Sequence, residues 1–144
     1  MCDLPSPMRE WVGPILAQVA LTFLVYGVLL YRRLSSIYRG IVPKGYFKLL
    51  QIRPDQKFPP QLEATARNLS NLFELPVLFF LYCVLMIILE RTDPTAVTGA
   101  WAFVETRILH SGIHITNNHV TARFIAFLAG WALMAALWIR FAMI

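Results

Sequence analysis

Apolar residues along this chain fall into four blocks, separated by short polar or proline-rich stretches. The first, Trp11 to Tyr31, runs 21 residues without a charge. As a helix it is about 31 Å long, enough to cross a hydrocarbon core of roughly 30 Å. The second, Leu75 to Leu89, is uncharged but only about 22 Å long as a helix. A span there must borrow the turn that holds Asn71 and Glu74. The fourth, Phe124 to Ile139, is bounded by Arg123 and Arg140, whose long stems can carry their charges to the two interfaces. The third, near Pro94 to Ile113, is the least apolar because Glu105, Arg107 and His110 lie inside it. Asp93 followed by Pro94 reads as an N-cap and a first-turn proline, so a helix is predicted to start there. The pattern predicts an all-α fold: an integral membrane four-helix bundle forming a single domain over residues 1–144.

Composition agrees with this reading, with 58% apolar residues in 144 and a mean hydropathy of +0.59. The N-terminus does not read as a cleaved signal, because Asp3 and Glu10 flank Arg9 and the first apolar run is too long for an h-region. Cys2 and Cys83 are too few and too far apart for a disulfide framework, and Cys83, mid-span, reads as a small packing residue. No internal repeat is evident.

The charge is unevenly spread. Between Arg32 and Pro60 stand Arg32, Arg33, Arg39, Lys44, Lys48, Arg53 and Lys57 against Asp55 alone. By the positive-inside rule this loop is cytoplasmic, which places both termini outside, the turn at Arg91 to Pro94 outside, and His114 to His119 inside. Anionic lipid headgroups, not nucleic acid, are the partners this balance suggests. The polar residues of the spans then share one leaflet. Arg32 and Arg33 end the first helix there, Arg67, Asn71 and Glu74 lead into the second, Arg107 and His110 descend to it in the third, and Arg123 opens the fourth.

Ionisable groups at membrane depth are costly and are usually retained for a pathway or a site. Arg67, Asn71 and Glu74 are spaced i, i+4 and i+7, one stripe of a helix. They can satisfy one another as a structural network, or hold a ligand with carboxylate and amine ends. Pro76 lies just past them and is expected to kink the helix by removing one backbone bond. Arg107, His110 and His114 form a second stripe. A lone His110-x-x-x-His114 is a weak metal signal, since zinc needs three or four converging ligands, and no metal is expected. Arg123 sits in the first turn of a helix, where the dipole disfavours a cation. It therefore needs an anion, either Glu105 or Glu74 as a structural partner, or a ligand carboxylate or thiolate. Glu105 and Arg107, two apart, point about 200° apart around their helix, so one of them is expected to face a neighbouring subunit.

Arg67-x-x-x-Asn71-x-x-Glu74 followed by Pro76 resembles the second-helix signature of the MAPEG family, the membrane-associated proteins in eicosanoid and glutathione metabolism. Arg107-x-x-His110 followed by Arg123 resembles that family's later R-x-x-H…R pattern. The resemblance covers essentially the whole chain. It implies a homotrimer that binds glutathione, as co-substrate, between adjacent subunits near the cytoplasmic face. Arg123 would activate the thiol. Arg67, Asn71 and Glu74 would hold the tripeptide, joined by Arg33 or Arg32 from the end of the first helix, with Arg107 and His110 lining the same pocket. The implied activity is glutathione conjugation or peroxide reduction on a hydrophobic electrophile. The alternative is a non-catalytic, lipid-binding or scaffold member. Two departures turn the expectation away from eicosanoid chemistry: His114 and Phe127 stand where family enzymes often place tyrosines, and the Glu74-to-Pro76 spacing is one residue short. A proton or ion carrier using Glu74, Glu105 and His110 is disfavoured, because the charges gather on one leaflet instead of crossing the bilayer.

Overall fold

The computed structural model describes residues 6–42, 59–91 and 93–143. Cys2, Asp3, Lys44, Lys48, Arg53, Asp55 and Lys57 lie outside them. Every regular element among the described residues is a helix: α1 (Ser6–Tyr38), α2 (Pro60–Leu72), α3 (Leu75–Ile88), α4 (Pro94–Ile115) and α5 (Val120–Ala142). Among the described residues three stretches are long and apolar enough to cross a membrane: Met8–Tyr38, Pro60–Ile88 across α2 and α3, and Val120–Ala142. Helix α4, at 22 residues, has the length of a span, about 33 Å, but its polar stripe lowers its hydropathy.

Local chemistry sets the helix ends. Gly40, with φ +67°, takes the left-handed turn after α1, and the Ile41 and Val42 N–H groups donate to Ser36 O at 3.0 and 3.2 Å. At α2, Pro60 occupies the first turn, where its missing N–H costs nothing. The helix therefore starts well before Asn71, adding three turns to the short second block. Asp93 caps α4 by accepting from Thr95 N at 3.0 Å, as the Asp-Pro pair predicts. His119 caps α5 through Nδ1, which accepts from Ala122 N at 3.3 Å.

The kink expected at Pro76 is a complete break. Helix α2 ends at Leu72, Phe73 and Glu74 form a turn, and α3 restarts at Leu75. Pro76 has no N–H to offer the carbonyl four residues back, at Leu72, and its ring crowds that carbonyl, which favours an interruption there. The stripe Arg67–Asn71–Glu74 is cut between its second and third members.

Trp11 Nε1 donates to Arg91 O at 3.2 Å, while Arg32 at the other end of α1 donates to Ile115 O at 2.7 Å. Helices α1 and α4 thus run in the same direction, with α2, α3 and α5 opposed to them. The core lies toward the Asp93 end and centres on Trp11, Phe79, Tyr82, Met86, Phe103 and Met134, all essentially inaccessible. Phe79 stacks on Phe103 with centroids 4.9 Å apart. Cys83 is buried in this core. Small residues let the helices approach: a Cβ on Gly99 would meet the Leu137 side chain, and one on Gly130 would meet Arg107 and Thr106. Large apolar side chains such as Phe23, Leu24, Phe124 and Ile125 stand exposed on the outer faces.

Candidate functional site

Helix α4 buries a polar stripe of Arg107, His110, Ser111 and His114, spaced i, i+3, i+4 and i+7 along one face. Each of the four meets a neighbouring helix.

Arg107 is 1% exposed. Its Nη2 donates to the carbonyls of Ala126 and Phe127 at 3.0 and 3.2 Å, and its guanidinium lies over the rings of Phe103 and Phe127, 5.5 and 5.4 Å from their centroids. Gly130 leaves the room it occupies. The cation is thus held by carbonyl oxygens and π faces, with no carboxylate among the described residues.

His110 Nδ1 lies 3.0 Å from Arg123 O, and its Nε2 lies 3.5 Å from Asn71 Nδ2. One tautomer serves both contacts: Nδ1–H donates to the carbonyl and Nε2 accepts from the amide, an assignment made from the partners. Ser111 donates to Asn68 Oδ1 at 3.2 Å, which leaves the buried Asn68 Nδ2 without a partner. His114 Nε2 accepts from Arg123 Nη1 at 3.4 Å, and its buried Nδ1 has no partner.

Arg123 Nη1 also donates to Asn118 Oδ1 at 2.5 Å. Its partners are a neutral amide and an imidazole, so its charge is oriented but not cancelled. Neither Glu105 nor Glu74 pairs with it. Glu105 stands exposed at the middle of α4, and Glu74 is exposed in the α2–α3 turn. Arg123, Arg67, His114, Asn118 and Glu63 line a recess of about 170 Å³ at the end of the bundle. Arg67 is paired with Glu63, one helical turn back. The pair is largely exposed and weak in consequence.

The structure therefore brings Arg67 and Arg123 to one recess and links Asn71 to the Arg123 backbone through His110. It leaves Glu74 outside that group and turns Arg107 inward onto α5. At the end of α1, Arg32 reaches into the bundle, donating to Gln61 O at 2.9 Å, to Ile115 O and to Thr65 Oγ1. Arg33 is half-buried next to it. Asn68, Ser111, Thr65, Glu63 and Asn118 are members of the network that the sequence motifs do not single out. Of these, the Glu63–Arg67 spacing of i, i+4 carried a readable signal.

Residues 12–143 match the family model described as the MAPEG family, which is nearly the whole chain. The chain belongs to the MAPEG family. Comparison with curated proteins and with solved structures returned no match. In this MAPEG chain the two signature patterns meet through the Asn71–His110 contact. His110 and His114 lie edge to face at 5.5 Å, and no group of three or more His, Cys, Asp or Glu converges as metal ligands among the described residues.

Proposed function

We propose that this MAPEG protein is a glutathione-dependent membrane transferase or peroxidase acting on a hydrophobic electrophile. One observation carries the reading. Arg123 is fixed by neutral partners in a recess it shares with Arg67, so a positive charge is oriented there without a carboxylate of its own. Glutathione suits such a place, with two carboxylates that arginines bind as forks. Its thiol has a pKa near the free cysteine value of roughly 8.5 and is mostly protonated at neutral pH. A nearby guanidinium favours the thiolate, which is the nucleophile. Arg123 would hold that thiolate, and Arg67 with Asn71 would orient the tripeptide. Arg33 and Glu74 enter this reading only through a neighbouring subunit.

The assembly in this reading is a homotrimer with the basic segment after α1 in the cytoplasm. Glu105 supports association: an exposed carboxylate at the centre of a span costs about 2.5–3.5 kcal/mol facing lipid, and a second subunit relieves that. Native mass spectrometry in gentle detergent checks it, a monomer counting against the assembly. A second reading, a non-catalytic lipid-binding or scaffold member, is favoured by Arg107 and His110, whose hydrogen bonds are satisfied within the chain. Calorimetric titration of purified protein with glutathione separates the two. Saturable binding, with thiolate absorbance at neutral pH, is expected. Absence of binding would leave the scaffold reading.

A further inference from the structure

On the other side of the first turn of α2 lies a second recess, about 340 Å³, that shares no residue with the first. Its polar wall is Arg32, Ser35 and Ser36 from the last turns of α1 with Arg39 just beyond, and Gln61 faces them from α2. Among the described residues no carboxylate lines it. The hydrogen-bond acceptors of Arg32 are two carbonyls and a hydroxyl, so its charge stays uncompensated. Arg39 is exposed, and the positive N-terminal end of α2 adds to the same field. Tyr31 and Ser35 also belong to a longer groove of about 680 Å³ that continues along α1 between Leu34, Ile37 and Tyr38. A cationic, hydroxyl-bearing recess thus opens directly into an apolar groove on the outer face of a membrane-spanning helix.

We propose that this paired recess and groove is a binding site for one anionic phospholipid. Its phosphate sits against Arg39 and Ser35 under the field of Arg32, and an acyl chain lies along Tyr31, Leu34 and Tyr38. The charge selects an anion, and the adjoining apolar groove selects one that carries a hydrocarbon tail. The position at the end of a span matches the depth of a headgroup. Arginine forks bind phosphate oxygens in pairs, which gives the site geometry that diffuse attraction lacks.

The test is native mass spectrometry of the full chain, released from micelles holding equal phosphatidylglycerol and phosphatidylcholine. One phosphatidylglycerol per chain is expected to survive release, with little phosphatidylcholine. Arg39→Gln, at an exposed position beyond α1, removes a charge-assisted bond and should cut retention about tenfold. Ser35→Leu, which fills the recess, should do the same. Replacing Lys44, Lys48 and Lys57 together by glutamine should leave the adduct in place. Equal retention of the two lipids overturns the proposal, as does an unaffected Arg39→Gln. Loss of the adduct in the lysine variant would make the attraction diffuse. Displacement by soluble glycerol phosphate at concentrations similar to the lipid would make this a free phosphate-ester site, with no role for the groove.

Discussion

The two ends of the bundle handle charge in opposite ways. At the Asp93 end, Arg140 meets a carboxylate: its Nε donates to Asp93 Oδ2 at 2.7 Å, with Nη2 2.5 Å away. The other oxygen of Asp93 caps α4, and the aromatic cluster of Trp11, Tyr82, Trp138 and Phe141 packs nearby. At the basic end, Arg32 and Arg123 terminate on neutral atoms. Arg67, which does meet a carboxylate, Glu63, does so at the surface. A cation paired inside the chain serves the fold. A cation held in place by neutral acceptors keeps its field available to something that arrives from outside. That difference separates the end that holds the bundle together from the end where we propose that anions bind.

The strongest test removes the oriented charge. Arg123→Ala should lower glutathione-dependent turnover about 100-fold, the scale of losing one preorganised electrostatic contact, while glutathione affinity falls less. Thiolate absorbance of the bound tripeptide should drop in step, and Arg123→Lys should recover part of the loss. Full activity in the alanine variant would move Arg123 to the structural side of the comparison. Next in size is Gly130→Ala. Alanine ordinarily favours a helix over glycine by about 1 kcal/mol. Here the new methyl would meet Arg107 Nη2 and Thr106 Oγ1, and overpacking of that kind costs about 1–3 kcal/mol. We expect a net loss of up to about 2 kcal/mol in reversible unfolding in detergent. An unchanged stability would show that Arg107 can leave its place freely.

Smaller effects belong to the Asp93 end. Asp93→Ala removes both cap and ion pair and should cost about 1–2 kcal/mol. Asp93→Asn keeps a cap acceptor and should cost well under half of that. The smallest effect is one of pH. The hydrogen bond from Arg140, followed by the Thr95 N–H, holds the Asp93 carboxyl below its ordinary value. Its contribution is therefore complete above the usual aspartate range, near pH 4, and fades as pH falls through the lowered value. The acid limb of the stability profile should flatten slightly in Asp93→Asn. A flattening on the alkaline side would contradict the assignment.

Much of this architecture was legible from hydropathy, because a membrane span must be apolar over a fixed length whatever its neighbours are. Asp93–Pro94 marked the start of α4 through local chemistry alone. The membership of the polar network was harder to read. Periodicity told that Arg107, His110 and His114 share a face, but not that Arg107 would be stacked between Phe103 and Phe127 while Glu105 faced outward. Asn68 and Gln18, both fully buried, sit inside apolar periods, where a neutral amide leaves no mark in a charge pattern. The stripe through Glu74 failed for a definite reason: i, i+7 spacing places residues on one face only if the helix continues, and Pro76 sets a limit that the spacing does not contain.

That interruption also divides labour along one span. Helix α2 carries Arg67, which borders the recess, and Asn71, which meets His110, while α3 carries Phe79, Tyr82, Cys83 and Met86, which fill the core. Because no helical ladder passes Glu74, a change in the tilt of α2 need not travel into α3. Residues of α2 that border the recess can then be exchanged without each exchange being tested against the packing of the core. A continuous helix would have tied the shape of the recess to stability; a broken one lets the two diversify on separate schedules.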